Sequence, residues 1–128
     1  MDIKSCVPAD KFDLNALARA RSVGFPELNP VLPELLIWLQ DPNWPLAQDC
    51  ALLLSKAGLE LVPHLSAIFA SDDNLWKWTI LATLCPLLNF EVISALKLDL
   101  ERLCLAPTHG ERLEEVDVAA SEILAAQP

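Results

Sequence analysis

The side chains able to do chemistry are few and scattered. His64 follows Pro63, and His109 lies in the stretch Pro107-Thr108-His109-Gly110-Glu111. Neither has a second His or a Cys three or four residues on, the spacing that brings two ligands to one helix face, so no metal site is expected. Cys6, Cys50, Cys85 and Cys104 are dispersed, with no Cys-x-x-Cys pair. There is no Gly-x-Ser-x-Gly turn, no phosphate-cradling glycine loop and no His-Glu-x-x-His. Cys50, Cys85 and Cys104 fall within apolar helical patterns, where a thiol behaves as a small hydrophobe rather than a nucleophile. The reading is therefore no catalytic residue, no cofactor and no enzyme.

Carboxylates remain. The densest cluster is Glu111, Glu114, Glu115 and Asp117, and further acids stand at Asp41, Asp72 and Asp73. One use for them is local. A carboxylate in a first helical turn meets the positive end of the helix dipole, worth roughly 0.3–1 kcal/mol. Thr108 and Glu111 also have the Thr-x-x-Glu spacing of a capping box. The other use is collective: each group stands at the start of a second helix of a hairpin, and stacked hairpins would align them into an acidic ridge. Trp78 joins this set by its position beside Trp76. At about 100° per residue the two indoles lie about 200° apart on the helical wheel, so one of them must leave the centre of the buried face. An indole at an edge makes a good interface anchor.

The elements that must position these groups are helices. Hydrophobic residues make up 53% of the 128 residues but aromatics only 6%, with three glycines and no tyrosine, a Leu- and Ala-rich profile that favours helix over sheet. Residues 1–9 read as a loosely held arm, followed by a single domain over residues 10–128. Asp10 is expected to cap a first helix to about Ser22, with Phe12, Ala16, Leu17 and Ala20 inward and Gly24 as its stop. Asn29-Pro30 opens a second, carrying Leu32, Leu35, Leu36 and Leu39. A third is expected from Trp44 to Ala57, a fourth from Pro63 to Ala70, and a fifth in the stretch that opens with the candidate caps Asp72, Asp73 and Asn74 and ends near Pro86. Asn89 caps a sixth to about Cys104. A last one, capped by Thr108, places Leu113, Val116, Ala120, Ile123 and Leu124 inward.

The pattern repeats. Pro33-Glu34-Leu35-Leu36, then Leu39, a break and Trp44, has its counterpart in Pro63-His64-Leu65, then Phe69, a break and Trp76. Units of about 30–40 residues built from two helices are the signature of HEAT-like hairpins. The expected fold is all-α, a short HEAT-like solenoid of about three hairpins behind an N-terminal capping helix, with Trp44 and Trp76 as wedges between hairpins; a generic up-down helical bundle is the alternative.

Particular stretches resemble a known family: Leu35-Leu36-Ile37-Trp38-Leu39-Gln40-Asp41-Pro42-Asn43-Trp44-Pro45, then Val62-Pro63-His64, Ser71-Asp72-Asp73 with Trp76-Lys77-Trp78, and Pro107-Thr108 with Glu114-Glu115-Val116-Asp117. In order and spacing, from about Asp10 to Leu124, they resemble the small all-α bacterial proteins grouped as domain of unknown function 5071. Trp78-Thr79 departs from the family's more frequent tyrosine and tryptophan after the lysine. The resemblance implies a HEAT-like fold and a setting in which small helical proteins serve as immunity or binding partners. It carries no catalytic residues.

Charge narrows the partners. With 18 acidic against 9 basic side chains the formal charge is −9, which repels phosphate backbones and anionic membranes. No nucleic acid, no membrane and a basic protein partner are expected. The longest uncharged run, Trp78 to Phe90, is shorter than a bilayer span of about 20 residues and contains Pro86. The start Met1-Asp2-Ile3-Lys4 shows no apolar signal region. Reduced thiols and a cytoplasmic location are the expectation. The function expected is non-catalytic protein binding through Asp41, Asp72, Asp73, Trp78, Glu111, Glu114, Glu115 and Asp117. Its most concrete form is an immunity protein or antitoxin against a basic toxin, with a structural or adaptor protein as the alternative. Behind that comes a HEAT-like enzyme, for example in nucleic-acid repair, which would need a basic groove that a −9 chain is poorly supplied to build.

Overall fold

Capping side chains decide where several helices begin. Asp13 accepts from the Ala16 N–H, Asp73 from Trp76, Asn89 from Val92 and Thr108 from Glu111, each satisfying a donor that the first turn leaves unpaired. The computed structural model describes residues 2–128. Among them it contains nine α-helices and no strand: α1 (Leu14–Val23), α2 (Leu32–Leu36), α3 (Ala47–Leu54), α4 (Val62–Phe69), α5 (Asn74–Thr79), α6 (Phe90–Ala95), α7 (Lys97–Leu105), α8 (His109–Leu113) and α9 (Val116–Ala125). The protein is all-α.

The helices are shorter and more interrupted than the periodicity predicts. Asp13, not Asp10, caps α1. The Asp10 carboxylate accepts from the Phe12 N–H in the preceding turn, which leaves Phe12 outside the helix and 68% exposed. Asn29 caps nothing. It opens a 3-10 turn (Asn29–Val31), α2 follows with Pro33 in its first turn, and a second 3-10 turn (Ile37–Leu39) closes it. Trp44 precedes α3, in a turn where the Trp44 N–H donates to Asp41 O and the Ala47 N–H to Trp44 O. After Thr79 the chain widens into a π-helical turn (Ile80–Leu84) and then a 3-10 turn through Pro86. A π turn shifts the phase of whatever follows it. The sixth expected helix is two, α6 and α7, parted at Leu96.

The last expected helix is also two. Glu115 sits between α8 and α9 in the left-handed region, at φ 59° and ψ 29°. That residue resets the helical phase, so Leu113 does not share the inward face of Val116, Ala120 and Ile123. It is 70% exposed instead.

α1 lies on α3, α3 on the π turn, and the π turn on α9; α2 sits beside α3, while α4 touches α5 and α7. α7 and α9 share the most extensive contact. One continuous core of Leu, Ile, Val, Ala and Cys side chains with Phe69 runs from Cys6 to Ile123, each fully buried large aliphatic worth about 1.5–3 kcal/mol. The N-terminal segment is tied down rather than loosely held. Its 3-10 turn (Ile3–Cys6) packs on α1, Cys6 is wholly buried and Arg19 Nε donates to Ser5 O at 2.8 Å. Met1 of that expected arm lies outside the described residues. Among the described residues, no helix is long and apolar enough to cross a membrane.

Cys50 and Cys85 are free thiols deep in the core, and burial pushes both up to about 12, with Asp49 adding to the effect at Cys50. Cys104 is only half-buried.

Candidate functional site

The first carboxylate of the acidic cluster is not on the surface. Glu111 is 0% exposed, and it accepts four hydrogen bonds from three directions. Lys77 Nζ reaches Oε2 at 2.8 Å; Arg102 grips both oxygens, Nη2 to Oε2 at 2.7 Å and Nη1 to Oε1 at 3.0 Å; the Thr108 N–H donates to Oε1 at 2.8 Å. The Glu111 N–H returns a bond to Thr108 Oγ1 at 3.1 Å, closing the capping box. Burial pushes this carboxyl up, but the hydrogen bonds from Arg102, Lys77 and Thr108, with the Lys77 charge, outweigh it and hold Glu111 at about 2. Glu111 is therefore corrected from binding residue to internal anchor. It joins α5, α7 and α8 through one ionised group, and Arg102 extends the link to α4 by donating to Phe69 O at 3.1 Å.

Lys77 is the surprise in this centre. It stands between Trp76 and Trp78, just ahead of the uncharged run that begins there, and its side chain is 3% exposed. A lone lysine at the head of that run was the available signal. Nothing local pointed to Arg102, which approaches Glu111 from across the α7–α8 turn. A carboxylate held ionised to about pH 2 and fully hydrogen-bonded is no proton donor near neutrality. The cluster serves as a lock.

The two tryptophans of α5 part company. Trp76 Nε1 donates to Leu36 O at 3.0 Å, which ties α5 to α2 as the wedge reading expects, though the indole is only partly buried. Trp78 points elsewhere and, among the described residues, its indole N–H finds no acceptor. It borders two clefts. One, of about 260 Å³, is lined by Leu75, Trp78, Leu113, Glu114 and Glu115. The other, of about 550 Å³, runs between the π turn and α9. Trp38 and Trp44 stack on one another, their rings 5.4 Å apart and tilted by 57°.

Of the expected ridge, the structure brings Glu114, Glu115 and Trp78 together, with both carboxylates exposed. Asp117 lies nearby in the first turn of α9 and is half-exposed. Asp72 borders a separate cleft of about 490 Å³ over the Lys77–Glu111–Arg102 lock, and exposed Asp73 caps α5. Asp41 orders its own turn by accepting from the Asn43 N–H at 2.8 Å and lines none of these clefts. Among the described residues, no three His, Cys, Asp or Glu side chains gather as metal ligands would.

Fold and site together define a small all-helical protein with a locked ionic centre and an outer patch that mixes carboxylates with exposed apolar side chains. The chain belongs to the family described as Domain of unknown function (DUF5071), whose family model matches residues 6–124 of its 128. The match spans both the lock and the patch. No curated protein matches the chain.

Proposed function

We propose that this protein is a non-catalytic binding module for a basic protein, and most concretely an immunity protein or antitoxin that covers a cationic toxin. The observation that carries this reading is the patch at the α8–α9 junction. There Glu114 and Glu115 stand exposed beside Trp78, Leu75 and the 70% exposed Leu113. Carboxylates steer a basic partner into encounter, and apolar and indole contacts at the same place slow its release. A charge of −9 extends the attraction beyond the patch.

Two features of the chain support the rest of the reading. The prolines in the first turns of both α2 and α4, with successive helices packed on one another, suit a HEAT-like solenoid of hairpins, a rigid support for a surface patch. The absence of a poised acid, base or nucleophile around Glu111 suits binding better than turnover. A cytoplasmic site of action, with no nucleic acid or membrane as ligand, goes with the acidic surface and the buried thiols.

Co-expression with the product of the adjacent reading frame tests this. The reading expects a product whose toxicity is relieved by this protein and which co-purifies with it at low salt. An adjacent product that is harmless and is not retained would sink the immunity assignment.

A further inference from the structure

Two clefts share Trp78 as a wall, and each also has a carboxylate in its lining, Glu114 and Glu115 in the smaller and Glu122 in the larger. Along α9, Ala119, Glu122, Ile123 and Ala126 line the larger cleft, opposite Leu81, Ala82 and Pro86. Glu115 lines the smaller. Glu115 is the N-cap of α9, its carbonyl accepting from the Ala119 N–H at 3.1 Å, and Ala119, Glu122, Ile123 and Ala126 follow at the three-and-four spacing of one helix face. Two carboxylates therefore stand about seven residues apart, roughly 10 Å at 1.5 Å per residue, with apolar surface between them. Among the described residues, the charged side chains lining these clefts are Glu114, Glu115 and Glu122, with no Lys or Arg in either lining. Trp78 stands in both linings, half-buried, with its indole N–H open to an acceptor.

We infer that the two clefts act as one groove and receive a cationic amphipathic helix of the partner protein, with Arg or Lys at positions i and i+7 and apolar side chains at i+3 and i+4. This rests on the proposed function and deepens it by naming the groove and the chemistry of its occupant. The argument is charge complementarity with matched spacing. Two turns of a docked helix cover the same roughly 10 Å that separates Glu115 from Glu122. The apolar side chains between the cations then fall onto the exposed Ala82, Pro86 and Ala126, over a floor of buried Leu81, Ala119 and Ile123, as in other helix-in-groove complexes. The indole of Trp78 offers a face to one of the cations.

The test uses a labelled synthetic helix of about four turns bearing that pattern, and a second peptide of the same composition with the order shuffled. Fluorescence anisotropy reads their binding to the full chain, alongside its Ala82→Arg and Glu122→Arg variants. Both sites are exposed, so circular dichroism and melting should match the wild type. The patterned peptide should bind at least about tenfold more tightly than the shuffled one, and each variant should weaken it by about tenfold or more. Equal binding of both peptides, weakened by Glu114→Lys with Glu115→Lys but not by Ala82→Arg, would overturn the groove and leave the acidic-patch reading standing. No binding of either peptide, with the adjacent gene's product still retained, would overturn the groove alone; loss of both removes the two together. A dimer of the unliganded protein that Ala82→Arg disperses in sedimentation would assign the groove to a second copy and overturn the inference.

Discussion

Glu111→Gln keeps the shape of the side chain and an oxygen for the Thr108 N–H, but removes the charge that both cations face. Lys77 is 3% exposed and Glu111 0%, so the variant leaves an ammonium buried without its counter-ion. Removing one partner of such a pair costs about 3–5 kcal/mol. Arg102, with 42% of its side chain exposed, recovers hydration and moves the expectation to the lower end, about 3 kcal/mol. The pH dependence gives a second route to the same quantity. The carboxyl falls from its ordinary value near 4.5 to about 2 on folding, which at 1.36 kcal/mol per pH unit is roughly 3 kcal/mol. The sign follows from the depressed folded value: this stability is fully present above about pH 4.5 and is lost as pH falls toward 2. Urea melts of wild type and Glu111→Gln between pH 7 and pH 2.5 measure both. The gap should be about 3 kcal/mol at pH 7 and shrink through the acidic range. Lys77→Met combined with Glu111→Gln should cost less than the sum of the single changes by at least about 1 kcal/mol. A loss below about 1 kcal/mol at pH 7, with a pH-independent gap, would refute the lock.

Other perturbations probe separate parts of the account. Trp76→Ala should cost about 2–4 kcal/mol in a urea melt, less than a fully buried indole because the ring is only partly covered; a loss under about 1 kcal/mol would deny it the wedge role. Glu115→Gly should stabilise the fold by about 0.5–1 kcal/mol, because glycine adopts φ 59° without the penalty of a Cβ. A destabilised variant would mean that the Glu115 side chain supports the α8–α9 turn. In thiol titration of the native protein near pH 8, Cys104 should react first. Cys50 and Cys85, held as thiols to about 12, should react only on unfolding; equal reactivity of all three would contradict their burial.

Local chemistry was legible in the chain before its fold was known. Asn89 and Thr108 announce their helices because a capping side chain acts within three residues of itself, and the Thr108–Glu111 box is present as the spacing implies. Where the partner is far away, the sequence is silent. Lys77 meets Glu111 across 34 residues, and Trp76 meets Leu36 across 40. The breaks at Leu96 and Glu115 were hidden for a different reason: no glycine or proline marks them, so each pair of helices reads as one. That hidden turn at Glu115 is what exposes Leu113 and separates Glu111, which faces inward, from Glu114 and Glu115, which face out. A run of four acids looked uniform in sequence, yet its first member belongs to the interior.

The central claim is that exposed carboxylates at the α8–α9 junction engage a basic protein. Titration of the adjacent gene's product with wild type and with Glu114→Lys/Glu115→Lys, at low and physiological salt, tests it most directly. Exposed charges are screened beyond about 8 Å at physiological ionic strength, so wild-type association should slow as salt rises. The double variant should bind at least about tenfold more weakly, or about 1.4 kcal/mol, with its melting behaviour unchanged. Equal affinities for the two proteins, independent of salt, would contradict the claim and return both carboxylates to the service of their own helix.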